Sequence, residues 1–434
     1  MLTFDRARTT LTVVAAVLLC LRAASIAQAQ PGAQTSTPET VSSSPDDDTI
    51  EAGESEAEAP RRRLVRWNEY EGPFFTLRAG GGVLYDFAAY AQDESSKQQF
   101  QLAPQFKLRD ARVLFRGRLK FKRDVTWSAG VMYDGASDKW LVRETGIMVA
   151  VPKIWGHLFF GRTKEGFSLN KVMVGYAGWT LERATISDAT IPILADGVKW
   201  LGFAPKLRLL WNLGVYADAL SEGQTFSTYD HQVVGRLAWL PPLAGTRRLH
   251  LGVSVRQGKP DKDKLRLRSR PEAFPAPYFV ETESFAARGT KMLGFEAYYR
   301  PGPLLIGSEY FVQKADAPES GNPWFHGGDV VATWLITGET RGYNTRGGFF
   351  NQVSPAKTVF EGGPGAWELV ARYSYIDLDS GGVRGGRFWR FTPMVNWHVS
   401  DNVRLEFAYG YGTLDRFNLT GRTQFFQSRL QLKM

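Results

Sequence analysis

The chain has a single cysteine in 434 residues, Cys20, and it falls inside an apolar segment at residues 11–21. Disulfide and thiol chemistry are thereby excluded from everything after that segment. Beyond it, no stretch approaches the roughly 20 consecutive apolar residues of a membrane-spanning helix. Histidine is scarce too: His157, His231, His250, His326 and His398 are scattered at no metal-ligand spacing. There is no Walker loop, no HExxH helix, no G-x-S-x-G elbow and no dinucleotide fingerprint, so neither an enzyme nor a cofactor or metal is expected. Acid is short in the larger part of the chain. Removing the +2 of residues 1–29 and the −8 of residues 30–60 from the whole chain's +9 leaves +15 on residues 61–434.

What is present begins with an address. Arg6 and Arg8 precede the apolar segment, and Ala27-Gln28-Ala29 supplies small residues at signal-peptidase spacing. Residues 1–29 read as a secretory signal cleaved after Ala29. Leu19 stands where a lipoprotein signal wants a small residue, so no lipid is expected on Cys20. Residues 30–64 read as a disordered linker whose eight acids meet no base before Arg61. It is expected to serve as a solvated spacer, or as an anchor or a charged gate for a basic surface. Residues 65–434 form the folded unit. An exported chain without a membrane helix is either soluble outside the inner membrane or a β-barrel.

From about Pro73 onward one theme repeats: an alternating segment of about ten residues, then a turn. Val113, Phe115, Gly117, Leu119 and Phe121 alternate with Arg112, Leu114, Arg116, Arg118 and Lys120. At the C-terminal end, Met434, Leu432 and Leu430 alternate with Lys433, Gln431 and Arg429. Such segments begin near Phe75, Arg109, Val125, Trp140, Trp155, Asp196, Lys206, Asp230, Leu249, Lys291, Leu304, Gly327, Ala366, Arg387, Val403 and Thr423, sixteen in all. Tight connections are expected after the second, fourth, sixth, eighth, tenth and fourteenth. The connection after the twelfth, about residues 338–365, is too long for that rule. The pattern predicts an all-β fold, a transmembrane antiparallel 16-stranded β-barrel. Only closure satisfies every backbone group in lipid, and a barrel of this size leaves an aqueous lumen.

Parity then sorts the charges. The apolar register faces lipid, with Trp155, Trp239, Trp397, Tyr409 and Tyr411 in interfacial girdles. The other register carries an anion track, or else lumenal charges that merely keep the pore wet: Arg112, Arg116, Arg118 and Lys120 on one strand, then Arg162, Lys164, Arg208, Arg236, Arg256, Arg372, Arg390, Arg404 and Arg429. Like charges stacked on one strand repel and have no structural use without counter-charges. Inward Glu296, Glu309, Glu368 and Glu406 are expected to pair with neighbouring arginines. The basic patch LRLRSR at residues 265–270 reads as an external loop, since export argues against a nucleic-acid partner. Charge changes across residues 257–290 are expected to matter little.

Several stretches carry a more specific likeness: TWLITGETRGYN (333–344), GAWELVARYSYIDL (365–378), PMVNWHV (393–399) with DNVRLEFAYGYG after it, and FGRTKEGFSLN (160–170). With these the chain resembles the phosphate-selective porin O and P family over most of residues 75–434. The resemblance implies a trimeric outer-membrane channel of a Gram-negative bacterium, set in lipid and lipopolysaccharide, with inorganic anions such as phosphate as partners. It also implies that the third external loop folds into the lumen, which here is the long loop at about residues 165–195, with Lys171 and Arg183 as its basic residues. Two departures stand out: Met434 replaces the usual terminal aromatic, and Glu165, Glu182 and Asp188 accompany the two cations. The expected function is a water-filled, anion-preferring diffusion channel; a non-selective porin, or a barrel enzyme or receptor, is the alternative.

Overall fold

The computed structural model describes residues 68–217 and 229–434. The expected signal at 1–29, the whole expected linker at 30–64 and residues 65–67 lie outside the described residues. Within them the chain folds into sixteen long strands: β1 Thr76–Gln92, β2 Gln105–Lys120, β3 Asp124–Asp134, β4 Lys139–Val142 continued as Thr145–Val151, β5 Gly156–Thr163, β6 Ala195–Ala204, β7 Leu209–Ala217 and β8 Tyr229–Trp239. They continue as β9 Arg248–Pro260, β10 Gly289–Arg300, β11 Leu304–Asp316, β12 Trp324–Leu335, β13 Ala366–Ser380, β14 Val383–His398, β15 Val403–Arg416 and β16 Leu419–Lys433. Each pairs antiparallel with its sequence neighbour. β1 returns to β16, with Gly82 opposite Lys433 and Gln92 opposite Thr423, so the sheet closes. A short strand, Glu69–Glu71, lies against the start of β1.

Alternation sets the two faces as the period of two requires. On β16, Phe426, Leu430, Leu432 and Met434 are exposed outward, whereas Gln427, Arg429, Gln431 and Lys433 are buried inside. Closure leaves no unpaired edge for the hydrocarbon to desolvate. Trp155, Trp239 and Trp334 are exposed near one end, where Trp367 also stacks on Trp397 at 5.1 Å. That end carries the short connections after β2, β4, β6, β8, β10 and β14.

Three long connections turn inward and fill much of the lumen. Residues 164–194, after β5, form the inner loop, which contains the short helices α1 Leu169–Val172 and α2 Thr185–Thr190. Residues 261–288, after β9, form a cap loop at the same end. Residues 336–365, after β12, enter from the short-turn end as a basal loop. Leu169, Val172, Met173 and Trp179 of the inner loop pack with Tyr298, Leu305, Val331 and Val370 of the wall and with Phe349 and Phe350 of the basal loop. Phe167, Ile186 and Ile191 pack with Leu265, Leu267 and Phe279 of the cap loop. Burying side chains of this size yields about 1.5–3 kcal/mol each, so the plug is a hydrophobic core inside the barrel. Gly82 permits one close approach: a Cβ there would lie 2.7 Å from the Tyr176 hydroxyl.

Candidate functional site

The inner loop is held by guanidinium groups that reach in from the wall. Arg404 donates to the Gly178 carbonyl at 2.6 Å, Arg372 to Glu182 O at 2.8 Å and Arg256 to Thr190 O at 2.6 Å. Arg429 donates to Leu181 O, pairs with both Asp86 carboxylate oxygens at 2.6 Å and meets Glu182 at 2.5 Å. From the basal loop, Arg341 donates to Ala177 O at 2.9 Å and grips Glu368 at 2.8 Å. Carboxylates hold the loop's first helical turn: Glu296 accepts from Leu169 N–H at 2.5 Å and Glu309 from Asn170 N–H at 2.9 Å. Unpaired N–H groups at a helix start are natural partners for acid.

This packing covers the wall from Tyr216 of β7 through β16 to Leu84 of β1, and the cavity that remains lies against β2, β3 and the interruption in β4. It is lined by Arg109, Arg112, Met132, Asp134 and Arg143 of the wall, Lys164, Lys171, Glu182 and Arg183 of the inner loop, and Arg268 and Arg270 of the cap loop. Its charges fall into two groups. Arg112, Asp110, Arg109, Glu182, Arg429 and Asp86 form a continuous neutral network, with Arg112–Asp110 at 2.7 Å and Arg109–Glu182 at 2.8 Å. Arg143 pairs with Glu144 at 2.9 Å. The second group meets carbonyls alone: Lys164 donates to Met173 O at 2.6 Å, Lys171 to Ile191 O at 2.7 Å, Arg183 to Asn170 O and Met173 O at 3.0 Å, and Arg270 to Ala276 O at 2.9 Å. Against these four cations stand Asp134 and Asp188, which accept from Ser137 and Ser269 hydroxyls. The cavity is left with a net positive field.

Burial acts on these loop groups. It pushes the Lys164 ammonium well below its usual value, and burial with the nearby Arg183 brings Lys171 down to about 7. Burial likewise lowers Arg183 to about 10. For Glu182 burial alone would raise the carboxyl, but Arg109 and Arg429 outweigh it and hold the group well below the carboxylate range.

The expected track divides on inspection. Arg112 lines the cavity, stacked on Tyr176 at 4.4 Å. Arg116 and Arg118 follow it on the same face, half-buried, and Lys120 reaches Glu71 at 3.1 Å near the short-turn end. Lys164, Lys171 and Arg183 come together in the cavity as described. The remaining positions are corrected. Arg208 sits exposed in the turn before β7 at φ 52, because that strand starts one residue later. Arg162 is buried against Asp196 at 2.9 Å. Arg236 is buried under the basal loop, pairing with Glu296 at 2.7 Å and donating to Gly348 O. Arg256, Arg372, Arg404 and Arg429 clamp the inner loop, and Arg390 holds the cap loop through Pro271 O at 2.5 Å. These five clamping arginines point inward but are buried, their guanidinium ends held by loop carbonyls, by carboxylates such as Glu165, Glu272 and Asp86, and by Gln427. Of the inward glutamates, Glu296, Glu368 and Glu406 pair with arginines, while Glu309 binds the inner loop.

Sequence reasoning missed four lining residues. Arg109 occupies a β-bulge, with Asp110 opposite Leu84 and Leu108 opposite Tyr85, so it escapes the period of two. Arg143 falls at the interruption of β4. Arg268 and Arg270 belong to the basic patch at 265–270, read from sequence as an external loop; the cap loop that carries them turns inward, and both line the cavity. No group of histidine, cysteine and acidic side chains among the described residues is arranged to hold a metal.

A family model described as phosphate-selective porin O and P matches residues 77–434. An uncharacterized protein of Caulobacter vibrioides is 34% identical over 192 residues, 42% of this chain and 36% of that protein. Porin O of Pseudomonas aeruginosa is 27% identical over 134 residues, 28% of this chain and 30% of that protein. Each match thus spans about a third of its relative. Among solved structures, the anion-selective porin from Comamonas acidovorans superposes with a TM-score of 0.51 at 12% identity, covering 82% of this chain and all of that one, 100%.

Proposed function

The chain belongs to the phosphate-selective porin O and P family, an outer-membrane barrel lineage, and on that premise we propose that it forms an anion-preferring diffusion channel as a homotrimer. The observation that carries the selectivity is the cavity's surplus of cations: Lys164, Lys171, Arg183 and Arg270 meet no carboxylate among the described residues. Two unit charges 4 Å apart interact by about 1 kcal/mol in water but about 4 kcal/mol at an effective dielectric near 20. A narrow cavity walled by loops therefore amplifies a few charges over many along a wide lumen. Passage of phosphate follows from the same field, as does that of other small anions.

The relatives named above support this reading by what they are called: one a porin O, one an anion-selective porin. The test is the reversal potential of single channels in a KCl gradient. The sign expected is that of chloride preference, and a potassium-preferring channel contradicts the proposal. Phosphate added to one side should then lower the chloride current.

A further inference from the structure

The cavity mouth holds more than charge. Phe274 of the cap loop is buried with three cations around its ring, Lys107 at 5.5 Å, Arg109 at 5.1 Å and Arg270 at 5.5 Å. Four residues on, the Tyr278 ring is shared by Arg268 at 4.2 Å and Arg270 at 4.4 Å. Both rings line the cavity, and Met132 of β3 and Ile193 of the inner loop add apolar surface to its lining. A guanidinium over an aromatic ring is held there by attraction to the ring's electron-rich face.

A small hydrated ion is bound tightly where several N–H donors converge on one point. In this cavity part of that capacity is already used: Lys164, Lys171 and Arg183 donate to Met173, Ile191 and Asn170 carbonyls, and Arg270 donates through Nε to Ala276 O, so the site acts largely through its field. It rewards an anion that carries its own apolar surface, which can leave water against Phe274, Tyr278 and Met132 while its head group stays in the positive field.

Resting on the anion-channel reading, we propose that the cavity is a site for aromatic anions, meaning aryl phosphates and aryl carboxylates, with Phe274 and Tyr278 as the residues that set this preference. The ring of the ligand joins the arginine and aromatic stack at the mouth. The head group points toward Lys164, Lys171 and Arg183.

The experiment compares phenyl phosphate with methyl phosphate, which share a head group, as blockers of single-channel chloride current. Phenyl phosphate should block at a concentration at least about fivefold lower, the scale of one stacking contact. Phe274→Leu and Tyr278→Leu should each shrink that ratio toward one, while Tyr278→Phe, which keeps the ring, should retain it. Equal block by the two phosphates in the unaltered channel overturns the proposal, as does a ratio that survives both leucine substitutions. Either result leaves the channel's chloride preference standing. A potassium-preferring channel would instead overturn the reading on which the proposal rests.

Discussion

Lys171 shows how one residue's surroundings decide what it can do. Its ammonium donates to Ile191 O at 2.7 Å in the buried inner loop, near Arg183, Arg256, Asp188 and Glu165. With its value near 7, the group is charged below that pH and neutral above it. Burial lowers Lys164 as well. Anion preference should therefore fall by roughly a factor of two to five as pH rises from about 6 to about 8. Lys171→Arg should flatten the profile, since a guanidinium remains charged across that range. Reversal potentials measured across this span check the claim, and a pH-independent value contradicts it. Sequence pattern could mark Lys171 as basic and loop-borne. It could not give the burial, which comes from α1 packing into the lumen beneath the wall.

Among the elements, the inner loop and its clamps form the unit that shapes the passage. Arg429 joins β16 to β1 through Asp86 and to the loop through Leu181 O and Glu182. Breaking such a buried pair from one side costs about 3–5 kcal/mol because it strands the partner charge. Arg429→Met should lower the thermal unfolding temperature and, by loosening the loop, raise single-channel conductance while weakening selectivity. Adding Asp86→Leu should restore much of the stability, since no charge is then stranded, without restoring the original conductance. Unchanged conductance in Arg429→Met would show that the loop is held without this clamp. The strands themselves were legible in sequence because lipid outside and polar groups inside impose a period of two. All sixteen begin close to where the alternation places them, the largest difference being four residues. The roles of the inward arginines were not legible, because parity tells which way a side chain points and not what folds over it. Arg109 was hidden for a simpler reason: a bulge adds one residue and reverses the count.

In the barrel as a whole, filling is lopsided. Three inturned loops occupy the side from β7 through β16 to β1, and the remaining cavity lies along β2, β3 and β4. The strongest basic strand in the sequence, with Arg112, Arg116, Arg118 and Lys120, is on that open side. The net charge of +15 after residue 60 is thus spent in two ways, part of it clamping loops and part of it facing the passage. The length of residues 336–365 broke the turn rule in the sequence, and the reason is that this segment is part of the plug.

The most direct test of the account places charge neutralisation in the cavity against the same change elsewhere. Lys164→Gln, Lys171→Gln and Arg183→Gln together should carry the reversal potential in a KCl gradient most of the way to zero. Neutralising the exposed Lys206, Arg208 and Lys262 together, also to glutamine, should leave it at the unaltered value. Equal shifts from the two triple variants would contradict the assignment of the passage to this cavity.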